Sequence, residues 1–353
     1  MQINKKIFKN KNAIAVDDYF QRVMYDDRFG YYFRKNPLGS RGDFITSPLI
    51  SILFCEMIAV WLINTWENIG KPKVFNIVEL GPGDGTLASS ILKTFKNFPE
   101  FNKSINFFLY EKSPYLKNLQ RKYINYKNVY WLNNFSKIRN GPVFFLGNEF
   151  FDAFPVKQFI KEKKILLEKH YQFVNNKIIE TNKSVKEKDK AKIRGFKCLK
   201  KNKFFEYPKL GLKELERICK KIQINRGGIL LIDYGYTRPI KRSTIQSVKS
   251  HRLNNIFENI GNADITAHVN FSLLREFFSK KKFKVKNLVS QSFFLKKLGI
   301  FERANHLGDT MNFKEKSDLY YRVKRLTDKN QMGNLFKVFF AHNMPSNKFI
   351  GFN

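Results

Sequence analysis

Apolar and polar positions along this chain fall into two kinds of segment that alternate over most of its length. Short, continuous apolar runs predict buried parallel strands, because such strands are covered on both faces. These runs lie at 74–79, 106–111, 129–132, 142–147 and 228–233. Apolar residues at helical spacing predict helices at 16–24, 49–63, 86–92, 212–222 and 271–278. The order of the segments favours an α/β fold around a parallel sheet.

The pattern changes after position 156. Short apolar runs followed by an Asn-rich turn predict an antiparallel β-meander, at 158–160, 165–168 and 171–174. The polar stretch 183–192 predicts a mobile loop. Later runs predict antiparallel strands that close the sheet, at 285–288, 291–295 and 336–341.

These segments predict four parts of the chain. They are an N-terminal helical extension or lid (1–70), a βαβ core (71–156), an inserted meander and helix (157–225) and the C-terminal half of the sheet (226–353). Within the first part, 49–63 is the longest apolar stretch, but it contains Glu56 and is too short to cross a bilayer. Ser47 and Pro48 precede it, so we predict a buried helix capped by Ser47.

A glycine-rich turn carries the clearest candidate chemistry. Glu79 ends an apolar run, and Gly81, Gly83 and Gly85 follow it. Glycine permits a sharp turn and lets a ligand approach the backbone. A dinucleotide fingerprint would place its third glycine at position 86, which is Thr86. The spacing E-x-G-x-G-x-G instead matches class I methyltransferases, which bind S-adenosylmethionine; the alternative is an ordinary tight turn.

A second acid, Glu111, ends the next predicted strand. In nucleotide-binding βαβ units an acid at this place binds ribose hydroxyls. We therefore expect Glu111 to bind the ribose of the cofactor and Glu79 to face a cationic or hydroxyl-bearing part of it. Together with the three glycines, these acids are the candidate cofactor-binding residues.

The composition is strongly basic, with a formal net charge of +35 over 353 residues. Such a charge favours binding to nucleic acid or to an anionic membrane surface. Lys greatly outnumbers Arg, however, and Arg is the residue that reads phosphates and bases bidentately. Lys, Asn, Ile and Phe are abundant along the whole chain, which is typical of A/T-rich codons. We therefore predict a solvated basic surface and no specific nucleic-acid partner, with a nucleic-acid groove within 157–221 as the alternative.

Cysteine usage and the N-terminus bear on the compartment. Cys55, Cys198 and Cys219 form neither a C-x-x-C pair nor an even set. This usage is typical of a reducing compartment and argues against disulfides and a structural zinc ion. The basic N-terminus has no apolar segment typical of a secretory signal, and it lacks the Arg and Ser of a mitochondrial presequence. The expected location is the cytoplasm of a bacterium, or the mitochondrial matrix if the source is eukaryotic.

Several motifs are distributed along nearly the whole chain. They are 19–32 (YF-x3-M through GYY), 42–48 (GDFITSP), 78–87 (VELGPGDGTL), 148–156 (NEFFDAFPV), 233–235 (DYG) and 263–271 (ADITAHVNF). Together they resemble the MidA-type family of S-adenosylmethionine-dependent methyltransferases. The loop around Asp43 and the motif 148–152 are specific to that family, whereas all class I methyltransferases share the glycine motif.

The resemblance implies a class I methyltransferase fold with a Rossmann-like sheet and S-adenosylmethionine as cofactor. It also implies methylation of a protein arginine to the symmetric dimethyl form. Mitochondrial members assist assembly of respiratory complex I, so the implied protein substrate is a complex I subunit. Two positions depart from the family pattern: Asp84 lies beside the glycine turn, and Asn270 stands where an acid is expected.

Two acids are the candidate catalytic residues. Glu149 and Asp152 follow the strand predicted at 142–147, at the carboxyl edge of the sheet where such sites open. They are three residues apart, so one helical turn would place both on one face. A pair of carboxylates can hold an arginine guanidinium bidentately. We therefore expect Glu149 and Asp152 to hold the substrate guanidinium; the alternative is that they cap a helix.

The 42–47 motif predicts a lid in which Asp43, Thr46 and Ser47 fold over the cofactor. The alternative interpretation is that Ser47 is only a helix cap and Asp43 only a turn former.

Four further residues are candidates for substrate binding: Asn148, Asp233, Tyr234 and His268. The first three lie at ends of predicted strands on the same sheet edge. For Asp233 and Tyr234, a plain strand-to-loop turn is an equally good interpretation. His268, four residues after Asp264, could act as a general base, but a hydrogen-bonded structural histidine is the favoured interpretation.

The expected function is therefore S-adenosylmethionine-dependent methylation of a protein with an accessible arginine. An RNA methyltransferase is the alternative that the charge suggests, although no aromatic and basic RNA-reading motif supports it. A second alternative is an assembly chaperone that binds the cofactor without turnover. No metal-ligand spacing is found among the scattered histidines and cysteines.

Overall fold

The structure is a computed structural model that describes residues 6–8, 11–34, 46–163, 165–346 and 348–352. The strands are β1 (Ala13–Ala15), β2 (Phe75–Leu80), β3 (Ile105–Tyr110), β4 (Val129–Leu132), β5 (Val143–Asn148), β6 (Lys157–Glu162), β7 (Ile165–Val174), β8 (Lys177–Ser184), β9 (Phe204–Tyr207), β10 (Gly227–Tyr236), β11 (Gln246–Lys249), β12 (Arg252–Asn254), β13 (Asp264–Thr266), β14 (Val269–Asn270), β15 (Lys284–Val285), β16 (Val289–Ser290) and β17 (Phe336–His342).

The α-helices vary in length from one turn to 17 residues. They are α1 (Val16–Tyr25), α2 (Tyr31–Arg34), α3 (Ser47–Ile50), α4 (Ile52–Asn68), α5 (Thr86–Phe95), α6 (Pro99–Ser104), α7 (Pro114–Tyr123), α8 (Glu187–Arg194), α9 (Lys209–Asn225), α10 (Phe271–Lys280), α11 (Gln291–Lys297), α12 (Ile300–Gly308), α13 (Phe313–Thr327) and α14 (Met332–Leu335).

Backbone contacts divide the chain into two compact units, each assembled from three segments. The sheet unit comprises Ile45–Phe150, Ile218–Tyr234 and Lys282–Asn353. The meander unit comprises Met1–Phe44, Phe151–Arg217 and Gly235–Lys281.

The sheet unit contains the predicted parallel sheet, in the order β15-β17-β10-β5-β2-β3-β4. Its five strands from β10 to β4 run parallel, and β17 pairs antiparallel with β10. Every residue of β2 and β3 is buried, as the continuous apolar runs predict. The α/β fold class is therefore confirmed, and the predicted β2 to β5 strands lie within one residue of the observed bounds.

The long helix of this unit begins later than predicted. Ser47 opens only the four-residue helix α3, and the N-cap Thr46 accepts no side-chain hydrogen bond. The chain then extends at Ser51, whose Oγ accepts a hydrogen bond from the Leu53 N–H at 3.3 Å. Ser51 therefore caps α4, and the prediction that Ser47 caps the helix is wrong. Trp61, which is almost fully buried on α4, packs edge-on against Phe340 of β17.

The C-terminal part of the sheet unit is more helical than predicted. The run 291–295 was expected to be a strand, but it forms α11, which the Ser290 hydroxyl caps at the Phe293 N–H. The sequence pattern did not indicate α12 and α13 either, although Asn312 and Glu315 form a capping box at the start of α13. By contrast, the predicted strand 336–341 is confirmed as β17.

The meander unit confirms the predicted antiparallel meander, with β7 between β6 and β8. The two runs at 165–168 and 171–174 form one continuous strand, β7. Asn175 and Asn176 adopt left-handed φ angles of 48° and 63°, which are typical of a tight hairpin turn. The polar stretch 183–192 is not a loop, because β8 continues to Ser184 and α8 follows from Glu187.

A buried ion-pair cluster lies in the meander unit. The Lys157 ammonium contacts Asp17 at 3.1 Å and also contacts Glu168, and all three side chains are nearly inaccessible. A lysine is buried only when it is paired, so Lys157, although part of the Lys-rich stretch, stabilises the fold and does not contribute to the basic surface.

No helix in the described ranges is long and apolar enough to span a membrane.

Candidate active site

The glycine-rich turn leaves β2 and enters α5 with three left-handed residues. Gly81, Gly83 and Gly85 have φ angles of 62°, 56° and 88°. Glycine adopts such angles without the steric strain that a Cβ atom brings. A Cβ atom on Gly85 would also lie 2.9 Å from Ile124 Cδ1. The turn is thus a backbone surface on which side chains are excluded by conformation and, at Gly85, by space.

Asp84, the first departure from the family pattern, has a local structural role. Its Oδ1 accepts a hydrogen bond from the Thr86 N–H at 3.0 Å, at the first residue of α5. The residue therefore supplies the side-chain cap that Gly85, at the N-cap position, lacks.

Glu79 has an unsatisfied carboxylate oxygen beside this turn. The side chain is only 3% exposed, and its buried Oε2 has no hydrogen-bond partner among the described residues. Burial, together with nearby Asp84 and Glu111, raises the pKa of Glu79 to about 8. An unpaired buried carboxylate is costly, and a ligand that donates a hydrogen bond or carries positive charge would relieve that cost.

Glu111, just after β3, is held in one orientation. Its Oε1 accepts hydrogen bonds from the backbone N–H groups of Lys112 and Ser113, both at 2.7 Å. Burial raises the pKa of Glu111, and these N–H groups oppose the rise by stabilising the carboxylate. A preorientated acid at this place suits the hydroxyl groups of a ribose.

The candidate substrate acid Glu149 follows β5 directly. Its backbone is left-handed, with a φ of 49°, and its N–H donates to the Ile232 carbonyl at 2.9 Å. Non-glycine residues rarely adopt this conformation, and those that do are often found at functional sites. The Glu149 Oε1 accepts from the Ser47 N–H at 3.4 Å and from Asn148 Nδ2 at 3.3 Å.

Phe150 connects this segment to the glycine turn. A Cβ atom on Gly81 would lie 3.1 Å from Phe150 Cδ2, so the ring packs directly on the turn. Within the sheet unit, the structure therefore brings Glu149 and the candidate cofactor-binding turn into one neighbourhood.

The helix predicted across Glu149 and Asp152 does not form. The chain makes a turn at 151–154, in which the Phe154 N–H donates to the Phe151 carbonyl, and then enters β6. The two acids therefore share no helix face, and Asp152 caps no helix. Asp152 belongs to the meander unit, where it is buried and its carbonyl accepts from the Ala267 N–H at 3.0 Å.

A buried network behind Glu149 could not be found in the sequence pattern. The Ser47 hydroxyl donates to Gln291 Oε1 at 3.3 Å, and Gln291 Nε2 donates to the Leu326 carbonyl at 3.0 Å. Ser47 and Gln291 are both fully buried. The only sequence signal was the 42–48 motif, because Gln291 lay in a stretch predicted to be a strand. Of the predicted lid residues, Thr46 lies half-buried before α3, and Asp43 lies outside the described residues.

Asp233 and Tyr234 lie near the end of β10, beside β5. Ile232 pairs in register with Asn148, so Asp233 follows at the same sheet edge. Asp233 is buried, and its Oδ1 accepts from the Tyr234 N–H at 2.9 Å. The Tyr234 ring packs edge-on against Phe336. The third motif residue, Gly235, has a packing role, since a Cβ there would lie 2.0 Å from the Val269 carbonyl oxygen.

His268 and Asn270 belong to the meander unit. The backbone N–H of His268 donates to the Thr244 hydroxyl at 3.0 Å. Burial lowers the pKa of the His268 imidazole. A neutral imidazole is therefore favoured at physiological pH. Asn270 caps α10 by accepting from the Leu273 N–H at 3.0 Å, which gives the second departure from the family pattern a structural role. Among the described residues, no group of three His, Cys, Asp or Glu side chains is placed to hold a metal ion.

Comparison with known proteins identifies the family. The model of a family described as S-adenosyl-L-methionine-dependent methyltransferases matches residues 57–289, about two thirds of the chain. The chain belongs to this methyltransferase family. Its cofactor is S-adenosylmethionine, and the resemblance to MidA-type proteins is confirmed.

Relatives of this methyltransferase span nearly its whole length. It is 30% identical over 373 residues to the protein arginine methyltransferase NDUFAF7, mitochondrial, of Xenopus laevis, covering 96% of this chain and 83% of that protein. It is 28% identical to the human protein of the same name, covering 94% of this chain and 80% of the human one. A Burkholderia thailandensis crystal structure with bound S-adenosylhomocysteine has a TM-score of 0.82 at 22% identity, covering 100% and 92% of the two chains, which shows the shared fold.

The residues of the methyltransferase fit this cofactor. S-adenosylmethionine carries an ammonium group, a sulfonium and two ribose hydroxyls, and it has no pyrophosphate. Glu79 has an unsatisfied buried acceptor, Glu111 is preorientated, and the glycine turn leaves room for a ligand against the backbone. We propose that Glu79, Glu111 and the three glycines hold it.

We expect Glu111→Ala to weaken cofactor binding measurably without abolishing it. Loss of hydrogen bonds between a carboxylate and the ribose costs about 1–3 kcal/mol. Calorimetric titration with S-adenosylmethionine should therefore give a dissociation constant roughly 5- to 150-fold higher. Glu100→Ala, at an exposed acid on α6, is the control and should bind normally. Unchanged affinity in Glu111→Ala would contradict the ribose assignment.

Proposed function

We propose that this methyltransferase transfers the methyl group of S-adenosylmethionine to an arginine side chain of a protein. Relatives that align with 94–96% of the chain bear the name protein arginine methyltransferase. The observation that carries the proposal is the Glu149 carboxylate, which Ser47 and Asn148 hold at the end of β5, next to the ring that packs on the glycine turn.

The chemistry of arginine explains why a fixed carboxylate is useful. A guanidinium is always protonated and its lone pairs are delocalised, so it is a poor nucleophile. When bound, the cofactor supplies an electrophilic methyl group on sulfur. A guanidinium nitrogen would form the new N–C bond as the S–C bond breaks, which leaves S-adenosylhomocysteine, and the proton released from that nitrogen would pass to water. The role proposed for Glu149 is to hold the cation through charge-assisted hydrogen bonds and to aim one nitrogen at the methyl group.

We propose the symmetric dimethyl form as product and a subunit of respiratory complex I as substrate. Both follow the MidA-type resemblance. The proposed location is the mitochondrial matrix for a eukaryotic source, as the names of the relatives indicate for those proteins, or the cytoplasm for a bacterial one.

Labelled methyl transfer tests the proposal. The complete chain is incubated with tritiated S-adenosylmethionine and an extract of cells that lack it, and label is measured in protein and in RNA. We expect label in a protein, with mass spectrometry locating it on arginine. Mass spectrometry of membrane complexes from cells with and without the chain then identifies the subunit and the form of methylation.

The same experiment separates the alternatives. Label in RNA, together with tight binding of one RNA sequence at physiological salt, would establish the RNA methyltransferase that the charge of +35 suggests. If the basic surface is only solvated, RNA binding is weak and steeply salt-dependent. Cofactor binding without any transferred label, combined with a defect in complex assembly, would establish a chaperone instead.

A further inference from the structure

Gln120 is a buried polar side chain on α7 for which the sequence pattern predicted no role. It is 0% exposed. Its Nε2 donates a hydrogen bond to the Gly83 carbonyl oxygen at 2.7 Å. Its Oε1 accepts a hydrogen bond from the Trp131 indole Nε1–H, on β4, at 3.0 Å. One side chain therefore links the middle glycine of the turn to the neighbouring edge of the sheet.

The partners of Gln120 determine which way its amide points. An indole N–H can only donate, and a backbone carbonyl can only accept. The oxygen must therefore face Trp131, and the nitrogen must face Gly83. Gln120 also interacts favourably with the Glu111 carboxylate, which opposes the rise of the Glu111 pKa that burial causes. The amide that holds the turn therefore also influences the acid assigned to the ribose.

Packing strengthens this link. A Cβ atom on Gly85 would lie 3.3 Å from Gln120 Cγ and 2.9 Å from the end of Ile124, which follows α7. The last turn of α7 and the residue after it therefore form the support on which the glycine turn rests.

We propose that Gln120 is a positioning residue for cofactor binding, which fixes the glycine turn and the Glu111 carboxylate relative to each other. The inference rests on the proposed assignment of these groups to the cofactor, and it is independent of the arginine substrate. An unsupported turn or a reorientated carboxylate binds the cofactor less well, since the ordering that Gln120 provides beforehand must then occur on binding.

The test uses two substitutions of similar size. Gln120→Met removes both hydrogen bonds, and Gln120→Glu keeps the acceptor for Trp131 but places negative charge against Glu111 and the Gly83 carbonyl. We expect calorimetric affinity for S-adenosylhomocysteine to fall roughly 3- to 10-fold in both, the scale for losing a neutral hydrogen bond. The KM for S-adenosylmethionine should rise similarly, with kcat at saturation unchanged.

A pH profile distinguishes positioning from packing. Without the favourable interaction of Gln120 with the carboxylate, the pKa of Glu111 rises further, so protonation begins at a higher pH. The acid side of the affinity profile of Gln120→Met should therefore shift to higher pH, whereas a residue that only fills space would not move it. Trp131→Phe removes the other partner of the amide and should cause a smaller loss, since both contacts to the site remain.

A double-mutant cycle with Glu111→Ala separates this proposal from the cofactor assignment. If the proposal holds, Glu111→Ala costs less affinity in the Gln120→Met protein than in the parent. Normal affinity in Glu111→Ala alone would overturn the ribose assignment. Normal affinity and an unshifted pH profile in folded Gln120→Met and Gln120→Glu, with Glu111→Ala still weakened, would overturn only the role of Gln120.

Discussion

We expect Gly83→Val to abolish binding of S-adenosylmethionine. Two effects combine at this position. The φ of 56° is strained for any L side chain and most of all for a β-branched one. The valine methyl groups would also occupy the backbone surface on which we expect the cofactor to rest. Because Gly81 packs against Phe150 and Gly85 packs against Ile124, the turn cannot move aside cheaply.

Isothermal calorimetry of the purified variant measures this effect, and the chain offers a matched control. Gly70 also has a left-handed φ, of 91°, but nothing lies within 4 Å of a Cβ placed there. Gly70→Val therefore introduces comparable backbone strain away from the turn, and it should lose stability while binding the cofactor normally. Parent-like affinity in a folded Gly83→Val protein would refute the assignment of the turn.

Glu149→Gln should separate cofactor binding from methyl transfer. The substitution keeps the shape of the side chain, and its amide oxygen can still accept from the Ser47 N–H, but the negative charge is lost. We therefore expect cofactor affinity to persist while the rate of methyl transfer to a protein falls roughly 10²-fold, the scale for losing one preorganised electrostatic contact. Both quantities are measured on the same protein preparation.

The control for Glu149→Gln is Glu56→Gln. The half-buried Glu56 pairs with Arg303 at 2.8 Å in the same unit, so the charge change is equal but lies outside the proposed site. The rate of methyl transfer by Glu56→Gln should match the parent rate.

Asp152→Asn is expected to lower the rate of methyl transfer, as Glu149→Gln does. Parent-level transfer by Glu149→Gln would show that this acid is structural and would direct the search to Asp43 and Asp233.

Local patterns predicted the core of the sheet and the glycine-rich turn well. Continuous apolar runs bounded by turn residues favour buried central strands, so β2 to β5 were located within one residue. The glycine turn and Glu111 were also placed correctly after β2 and β3, because each follows a strand at a fixed spacing. That these residues and Glu79 bind the cofactor stays a prediction. The turn at Asn175 and Asn176 was also predicted, because asparagine tolerates the left-handed angles that such a turn requires.

Errors arose where the local sequence pattern allows two structures. The run 291–295 is too short for its periodicity to separate a strand from a helix, and the Ser290 cap together with packing decides for α11. The polar stretch 183–192 contains few apolar residues, yet α8 buries Ile193 and pairs its buried Asp189 with Lys209. Contacts between residues distant in sequence thus override weak local preferences.

By itself, the sequence determined the fold class, the family and the candidate groups of the site, because these depend on residue types at short spacings. Only the tertiary structure decided how the groups are held. Glu149, whose backbone is left-handed, donates its N–H to the carbonyl of Ile232, 83 residues later in the chain. The contacts of Gln120 with Gly83 and of Ser47 with Gln291 span 37 and 244 residues. Side chains that meet only after folding leave no periodic signal, so their roles appear only when the strands and helices are in place.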